Sequence, residues 1–248
     1  MVISIYIHIP FCARKCLYCD FYSVEAPGKV EDFLGALDRE VELARGGMPA
    51  GEARTIFLGG GTPSLLTPAQ VEAILRRLRS AFAVTPDAEI TLEANPGTLT
   101  RDSLAAYRAA GVNRLSLGVQ SFHDPELQRL GRIHSADDAR RAVRDARAAG
   151  FDNLSLDLIY AIPGQSPSRW EATLETAIRM APEHVSAYAL TIERHTPFGR
   201  MLRAGELRPT PSETEAAMFE RGMEVLEAAG YEHYEVSNYA RPGFRCRH

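Results

Sequence analysis

The sequence predicts an α/β fold in which a parallel sheet curls into an open, TIM-like shape, a partial (β/α)6 barrel, and three observations carry that reading. Six short apolar runs recur along the chain, each followed by a stretch of helical periodicity. Such alternation implies parallel strands joined by right-handed crossovers that bury both faces of the sheet. The length, 248 residues, suits one large domain of this kind. The candidate functional residues Cys12, Gly59, Glu93, Gln120, Asp157 and Ala189 fall just after strands, at the end of the sheet where ligands bind in such folds.

Taken in order, strands are expected at 3–9, 55–58, 89–93, 114–119, 154–159 and 184–190. After the second, Thr67-Pro68-Ala69-Gln70 supplies a capping box with proline at the first helical position, and Val71, Ile74, Leu75 and Leu78 share one face. The third strand, Glu89-Ile90-Thr91-Leu92-Glu93, alternates, so its apolar residues point one way and Glu93 shares the face of Thr91. Asp157 interrupts the fifth run, and since an unpaired buried charge is costly, a partner is expected for it. Arg132 is one candidate for that partner, or for a cofactor carboxylate. The last helix is expected to begin with Ser212 and Glu215 as a second capping box, to carry a stripe of Phe219, Met223 and Leu226, and to stop at Gly230. Residues 1–230 then form the core, and 231–248 begin a C-terminal extension.

Composition narrows the functional classes. With 45% hydrophobic residues, 24% charged residues and a net charge of -4, the chain has no basic excess that would point to nucleic acid or an anionic membrane. The first apolar run lacks a basic flank, contains His8 and ends at Pro10, so it reads as a buried strand rather than a signal peptide. No apolar run approaches the roughly 20 residues of a membrane span. A cytoplasmic protein with reduced thiols is expected, and Asn153-Leu154-Ser155 is then a chance sequon.

The most informative motif is Cys12-Ala13-Arg14-Lys15-Cys16-Leu17-Tyr18-Cys19, which places three of the four cysteines in a CxxxCxxC triplet directly after the first strand. A 4Fe-4S cluster normally takes four thiolates, so a compact set of three leaves one iron open to a non-protein ligand. Two other readings stand beside it. Zinc would need a fourth ligand, for which His8 or Cys246 could serve, and Cys16-Leu17-Tyr18-Cys19 alone could be a redox pair. Gly59-Gly60-Gly61-Thr62 follows the second strand, either as a tight turn or as backbone that approaches a ligand closely; it matches neither a phosphate-binding lysine loop nor a dinucleotide fingerprint. His8 and His134 are the histidines nearest these motifs, and His8 reads first as a packed strand histidine. Hydrolytic triads and HExxH zinc helices are not found.

The triplet, together with Gly59-Gly60-Gly61-Thr62-Pro63, Glu93-Ala94-Asn95-Pro96-Gly97, Gly118-Val119-Gln120-Ser121-Phe122 and the run from Asp157 to Gln165, resembles the radical S-adenosylmethionine superfamily, in its oxygen-independent coproporphyrinogen oxidase branch. The resemblance covers essentially the whole chain and implies a partial barrel of that family's type. It implies a 4Fe-4S cluster on Cys12, Cys16 and Cys19, with S-adenosylmethionine on the open iron and contacted by Tyr6, Gly60, Gly61, Thr62 and Glu93. It further implies a second cofactor site lined by Tyr18, Gln120, Arg132, Asp157 and Ala189, with Tyr18 standing where the oxidases carry phenylalanine. An electron donor for the cluster is implied as well.

Two departures select within that branch. The oxidases resemble a CxxxCxxCxC pattern, whereas the position two beyond Cys19 is Phe21, which resembles the haem chaperones instead. In those chaperones the terminal segment runs into a His-Asn-x-x-Tyr-Trp motif implicated in haem binding, of which His248 matches the first histidine. The resemblance therefore implies haem binding, with His248 a candidate iron ligand and an acceptor protein as partner. The alternative is the oxidase reaction, decarboxylation of coproporphyrinogen III.

Overall fold

The computed structural model describes residues 1–47 and 51–248. In chain order it comprises β1 (Val2–Ile9), α1 (Val30–Gly47), β2 (Glu52–Gly60), α2 (Pro68–Ala81), β3 (Ala83–Ala94), α3 (Arg101–Ala110), β4 (Arg114–Gln120), α4 (Asp124–Leu130), α5 (Ala136–Ala148), β5 (Leu154–Tyr160), α6 (Pro167–Arg179), β6 (His184–Ala189), α7 (Pro197–Arg203), α8 (Ser212–Ala228), β7 (Glu232–Glu235) and β8 (Asn238–Ala240). Among the described residues these strands make one sheet in the order β1-β2-β3-β4-β5-β6-β8-β7. Pairing from β1 through β6 is parallel, and β8 joins β6 antiparallel with His184 opposite Ala240. The curled (β/α)6 barrel expected from the sequence is present, with β7 and β8 added at its far edge.

Strand alternation builds two unlike faces. Ile7, Ile9, Ile56, Leu58, Ile90, Leu92, Leu117, Leu156 and Val185 point outward and form one buried core with the helices. The inward face is polar: register pairs Tyr6 with Phe57, Phe57 with Thr91, Thr91 with Arg114, Glu93 with Ser116, and Asp157 with Ser186. A closed eight-stranded barrel fills its interior with branched apolar side chains. Here the lumen carries charge and hydroxyls instead, the mark of a site rather than a core.

The local expectations hold except along α8 and at the start of β3. Thr67 and Gln70 make both hydrogen bonds of the capping box, Pro68 opens α2, and Val71, Ile74, Leu75 and Leu78 are buried. At α8 the capping residue is Pro211, without a side-chain cap, and Ser212 is already inside the helix; the second capping box is not formed. The buried stripe of α8 is centred on Met218, Gly222 and Leu226, because the Trp170 indole packs there and donates to the Met218 carbonyl at 2.9 Å. Phe219 and Met223 flank it, partly buried. β3 starts at Ala83, earlier than the alternation at 89–93 indicated, since Pro86 and Asp87 interrupt that pattern while a bulge keeps the pairing.

Candidate iron-sulfur and cofactor site

The site begins where β1 ends. Phe11 bridges to Val24, the Cys12 N–H donates to the Val24 carbonyl at 3.0 Å, and the Val24 N–H donates to Pro10 at 2.7 Å, so residues 12–24 form a loop closed at its neck. Its tip is held on two sides. Leu17 donates its N–H to Leu130 at 3.1 Å and accepts from the Phe198 N–H at 3.0 Å, while the Arg14 guanidinium donates to the Gly131 carbonyl at 2.9 Å. Leu17 and Tyr18 pack on a small apolar cluster that includes Leu130, Ile159, Ile162 and Phe198.

All four cysteines are free thiols, Cys12 buried and the others half-buried. The Thr62 hydroxyl lies 3.6 Å from Cys12 Sγ, and an Arg132 guanidinium nitrogen lies 3.5 Å from Cys16 Sγ. Burial raises the Cys19 thiol, against the pull of the Phe21 backbone, and Cys16 and Cys12 add to the rise. Among the described residues, no group of three or more His, Cys, Asp and Glu side chains could share a single metal ion. Neither proposed fourth zinc ligand joins the triplet. Cys246 lies against Glu89 and the Tyr234 hydroxyl, and His8 spends both ring nitrogens on Tyr6 and Tyr22. A cube asks for something different, three soft thiolates each taking its own iron, and three free cysteines on one pinned loop supply that donor set.

The glycine run is not a tight turn. The Gly61 N–H donates to Ile9 and the Thr62 N–H to Phe11, both at 2.7 Å, so the run continues the β1–β2 pairing alongside the chain that leads to Cys12. Gly60 has φ of 110° and lies flat against the His8 ring, where a Cβ would stand 2.6 Å from the nearest ring atom. Only glycine fits. The Gly60 N–H donates to Glu93 Oε2 at 3.0 Å, joining the run to the carboxylate. Glu93 faces the lumen with Thr91, and burial, followed by the charge of Asp157, lifts its carboxyl to about 7, against the opposing pull of the Gly60 N–H and Arg114.

Across the sheet, Arg132 does not pair with Asp157. Its guanidinium donates to the Gly118 carbonyl at 2.7 Å and reaches Cys16 Sγ, with Tyr18 close enough to influence its charge. The Gln120 amide borders the same spot, since a Cβ on Gly118 would stand 3.0 Å from Gln120 Nε2 and 3.2 Å from an Arg132 nitrogen. Asp157 finds its expected partners in hydroxyls instead: Ser116 donates at 2.9 and 3.0 Å and Ser155 at 3.3 Å. Burial raises its carboxyl, against the opposing pull of the Ser116 hydroxyl and then of the Arg114 charge. Ala189 does not turn its side chain to this group; alternation gives that orientation to Tyr188, while Ala189 packs against the outer core.

His248 lies apart from the cysteines. Its Nδ1 is 2.9 Å from the Thr55 hydroxyl, and its ring packs 5.2 Å from Phe57 and 6.2 Å from Tyr6. His134 bridges Asn95 and the Val119 carbonyl, and burial lowers it to about 4, a neutral structural histidine. Sequence reasoning missed Arg114, Ser116, Ser186 and Tyr188, which line the lumen around Glu93 and Asp157. Projecting the period of two from Asp157 onto the neighbouring strands would have found them.

A curled parallel sheet with a three-thiol loop and a glycine-rich cradle at its carboxyl end defines an iron-sulfur protein of the partial-barrel class. The comparisons agree: the model of the Radical SAM superfamily matches residues 6–177, and the chain belongs to that superfamily. Membership carries a 4Fe-4S cluster and S-adenosylmethionine, and the donor set above fits both. The chain is 44% identical to the heme chaperone HemW of Escherichia coli over 99% of its own length and 65% of that protein's. It is 40% identical to the heme chaperone HemW of Bacillus subtilis, with the same coverage on both sides. It thus spans just under two thirds of the curated relatives it matches. Among solved structures it superposes on the E. coli coproporphyrinogen III oxidase HemN, a radical SAM enzyme, with a TM-score of 0.87 and 28% identity over 97% of this chain and 56% of that one. An archaeal Elp3 at 18% identity and a TM-score of 0.60 shares the fold alone. Among the described residues, no helix is long and apolar enough to cross a membrane.

Proposed function

We propose that this chain is the cofactor-binding barrel of a haem-binding protein that passes haem to acceptor proteins in the cytoplasm. The observation that carries the reading is Phe21, exposed two residues beyond Cys19 where the oxidase pattern has a fourth cysteine, in a chain 44% identical to a heme chaperone and 28% identical to the oxidase. Cys12, Cys16 and Cys19 would hold the cluster, and Tyr6, Gly60, Gly61, Thr62 and Glu93 would contact S-adenosylmethionine. When bound, cluster and cofactor supply one-electron reductive chemistry at the sulfonium, fed by an external electron donor. The residues bind and orient. Gly60 ties the run to Glu93 through its N–H, Glu93 accepts from ammonium or hydroxyl groups when ionised, and the Thr62 hydroxyl reaches toward Cys12. Arg132 offers positive charge beside Cys16.

His248 would present haem iron with Nε2, because Nδ1–H donated to the Thr55 hydroxyl leaves the other nitrogen bare. The oxidase remains as a second reading because Gln120 and Arg132 converge over Gly118 with Tyr18 beside Arg132, as a second cofactor site would require, with Asp157 on the lumen face of the adjoining strand and Ala189 available through its backbone alone. Anaerobically reconstituted protein titrated with haem, beside an incubation with coproporphyrinogen III and S-adenosylmethionine, separates the two. Saturable haem binding without vinyl product is expected. Vinyl product without haem binding would establish the oxidase.

A further inference from the structure

We propose that His8, as its neutral Nε2–H tautomer, is a positioning residue that ties the cysteine loop to the cofactor-contacting Tyr6 and Gly60. The inference rests on the cofactor reading above. The Tyr22 carbonyl, three residues past Cys19, lies 2.8 Å from His8 Nε2, and a carbonyl can only accept, so Nε2 carries the proton. In the neutral ring Nδ1 is then bare, and the Tyr6 hydroxyl at 3.2 Å donates to it. That assignment has a directional result. With its proton committed to His8, Tyr6 faces the cofactor with lone pairs alone, an acceptor for an amino group.

The third contact is steric. Three atoms of the His8 ring stand 2.6, 2.7 and 3.0 Å from where a Gly60 Cβ would be, so the imidazole is the plate against which the glycine run is laid. The same Gly60 holds Glu93 through its N–H. One ring thus sets the returning limb of the cysteine loop, the polarity of Tyr6 and the path of the glycine cradle. No thiolate touches His8 in the structure, so it acts on the cluster site through these neighbours. Leucine would fill the space without either hydrogen bond. Glutamine offers one donor and one acceptor and can replace both.

Wild-type chain, His8→Leu, His8→Gln and Tyr6→Phe are reconstituted anaerobically. Iron is counted, S-adenosylmethionine affinity is measured by equilibrium dialysis, and the spin-resonance signal of the reduced cluster is recorded with and without the cofactor. His8→Leu is expected to keep a wild-type circular dichroism spectrum, to bind S-adenosylmethionine at least tenfold more weakly and to lose the cofactor-induced change in the signal. His8→Gln should stay within about threefold of wild type. Tyr6→Phe, which leaves His8 in place, should weaken binding as well, and it serves as the test if His8→Leu fails to fold. Ring nitrogen shifts in wild-type protein should report the Nε2–H tautomer. The proposal is overturned by a His8→Leu protein whose affinity and signal match wild type, or by an Nδ1–H tautomer. A wild-type protein that holds no iron sinks the underlying cofactor reading instead.

Discussion

At the scale of single residues, the lumen is a set of charges held against their solution preferences. Glu93 is the sharpest case. Its carboxyl is raised from 4.5 to about 7, chiefly by burial and then by Asp157, so the folded chain holds a proton that the unfolded chain has released. Stability from this group is full below about 4.5 and is lost as pH rises through about 7, where folded and unfolded states bind the same number of protons. A shift of that size corresponds to up to about 3 kcal/mol. Glu93→Gln should therefore remove part of the pH dependence of the metal-free chain, and denaturant melts at pH 4.5 and 7.5 check it. A stability that falls across that interval as steeply in the variant as in the parent would contradict the assignment. Asp157 shows the other solution to burial: two serines, Ser116 and Ser155, donate to it, Ser186 stands opposite it on β6, and it makes no ion pair among the described residues.

At the scale of elements, the cysteine loop has almost no regular structure and is instead fastened at its neck and tip. Its tip depends on Gly131, which has φ of 78° and no room for a side chain, since a Cβ would stand 3.0 Å from Leu17 Cγ. Gly131→Val should push Leu17, and with it the stretch between Cys16 and Cys19, off the Leu130–Phe198 anchor. Iron retained after anaerobic gel filtration should then drop several-fold while far-ultraviolet circular dichroism stays near wild type; unchanged iron would mean that the anchor does not set the cysteine geometry. The helices were legible because capping and periodicity are local: Thr67, Pro68 and Gln70 announce α2 within four residues. α8 was misread at its start because Ser212 and Glu215 have the right spacing, yet Pro211 already occupies the capping position. β7 and β8 left no usable signal, being short strands whose place in the sheet is decided by the pairing of β8 with β6, some fifty positions earlier, and of β7 with β8.

At the scale of the whole molecule, the alternation of strand and helix determined the barrel, and the strand ends determined where its site must be. The thiol triplet and glycine run could be placed from sequence because each is contiguous. The partners within the lumen could not, since Arg132 lies far along the chain from both Cys16 and Tyr18, and nothing local says whether it will meet them or Asp157. His248 illustrates the same limit from the other direction. The motif marked it as a candidate haem ligand but gave no sign of its neighbours, and it rests on Thr55, 193 residues earlier, beside Phe57 and Tyr6. The polar lumen between the cysteine loop and that histidine is the common property of all these contacts, and it exists because charged and hydroxyl side chains occupy most of the inward face of the open sheet.

The central claim is that three thiolates hold a cube whose remaining iron takes S-adenosylmethionine. The direct measurement is iron and sulfide analysis of anaerobically reconstituted wild-type protein, followed by spin resonance of the reduced cluster before and after the cofactor is added. About four irons and four sulfides per chain, with a signal that changes on cofactor addition, are expected. A chain that retains zinc or no metal, or a cluster whose signal is indifferent to the cofactor, would contradict it.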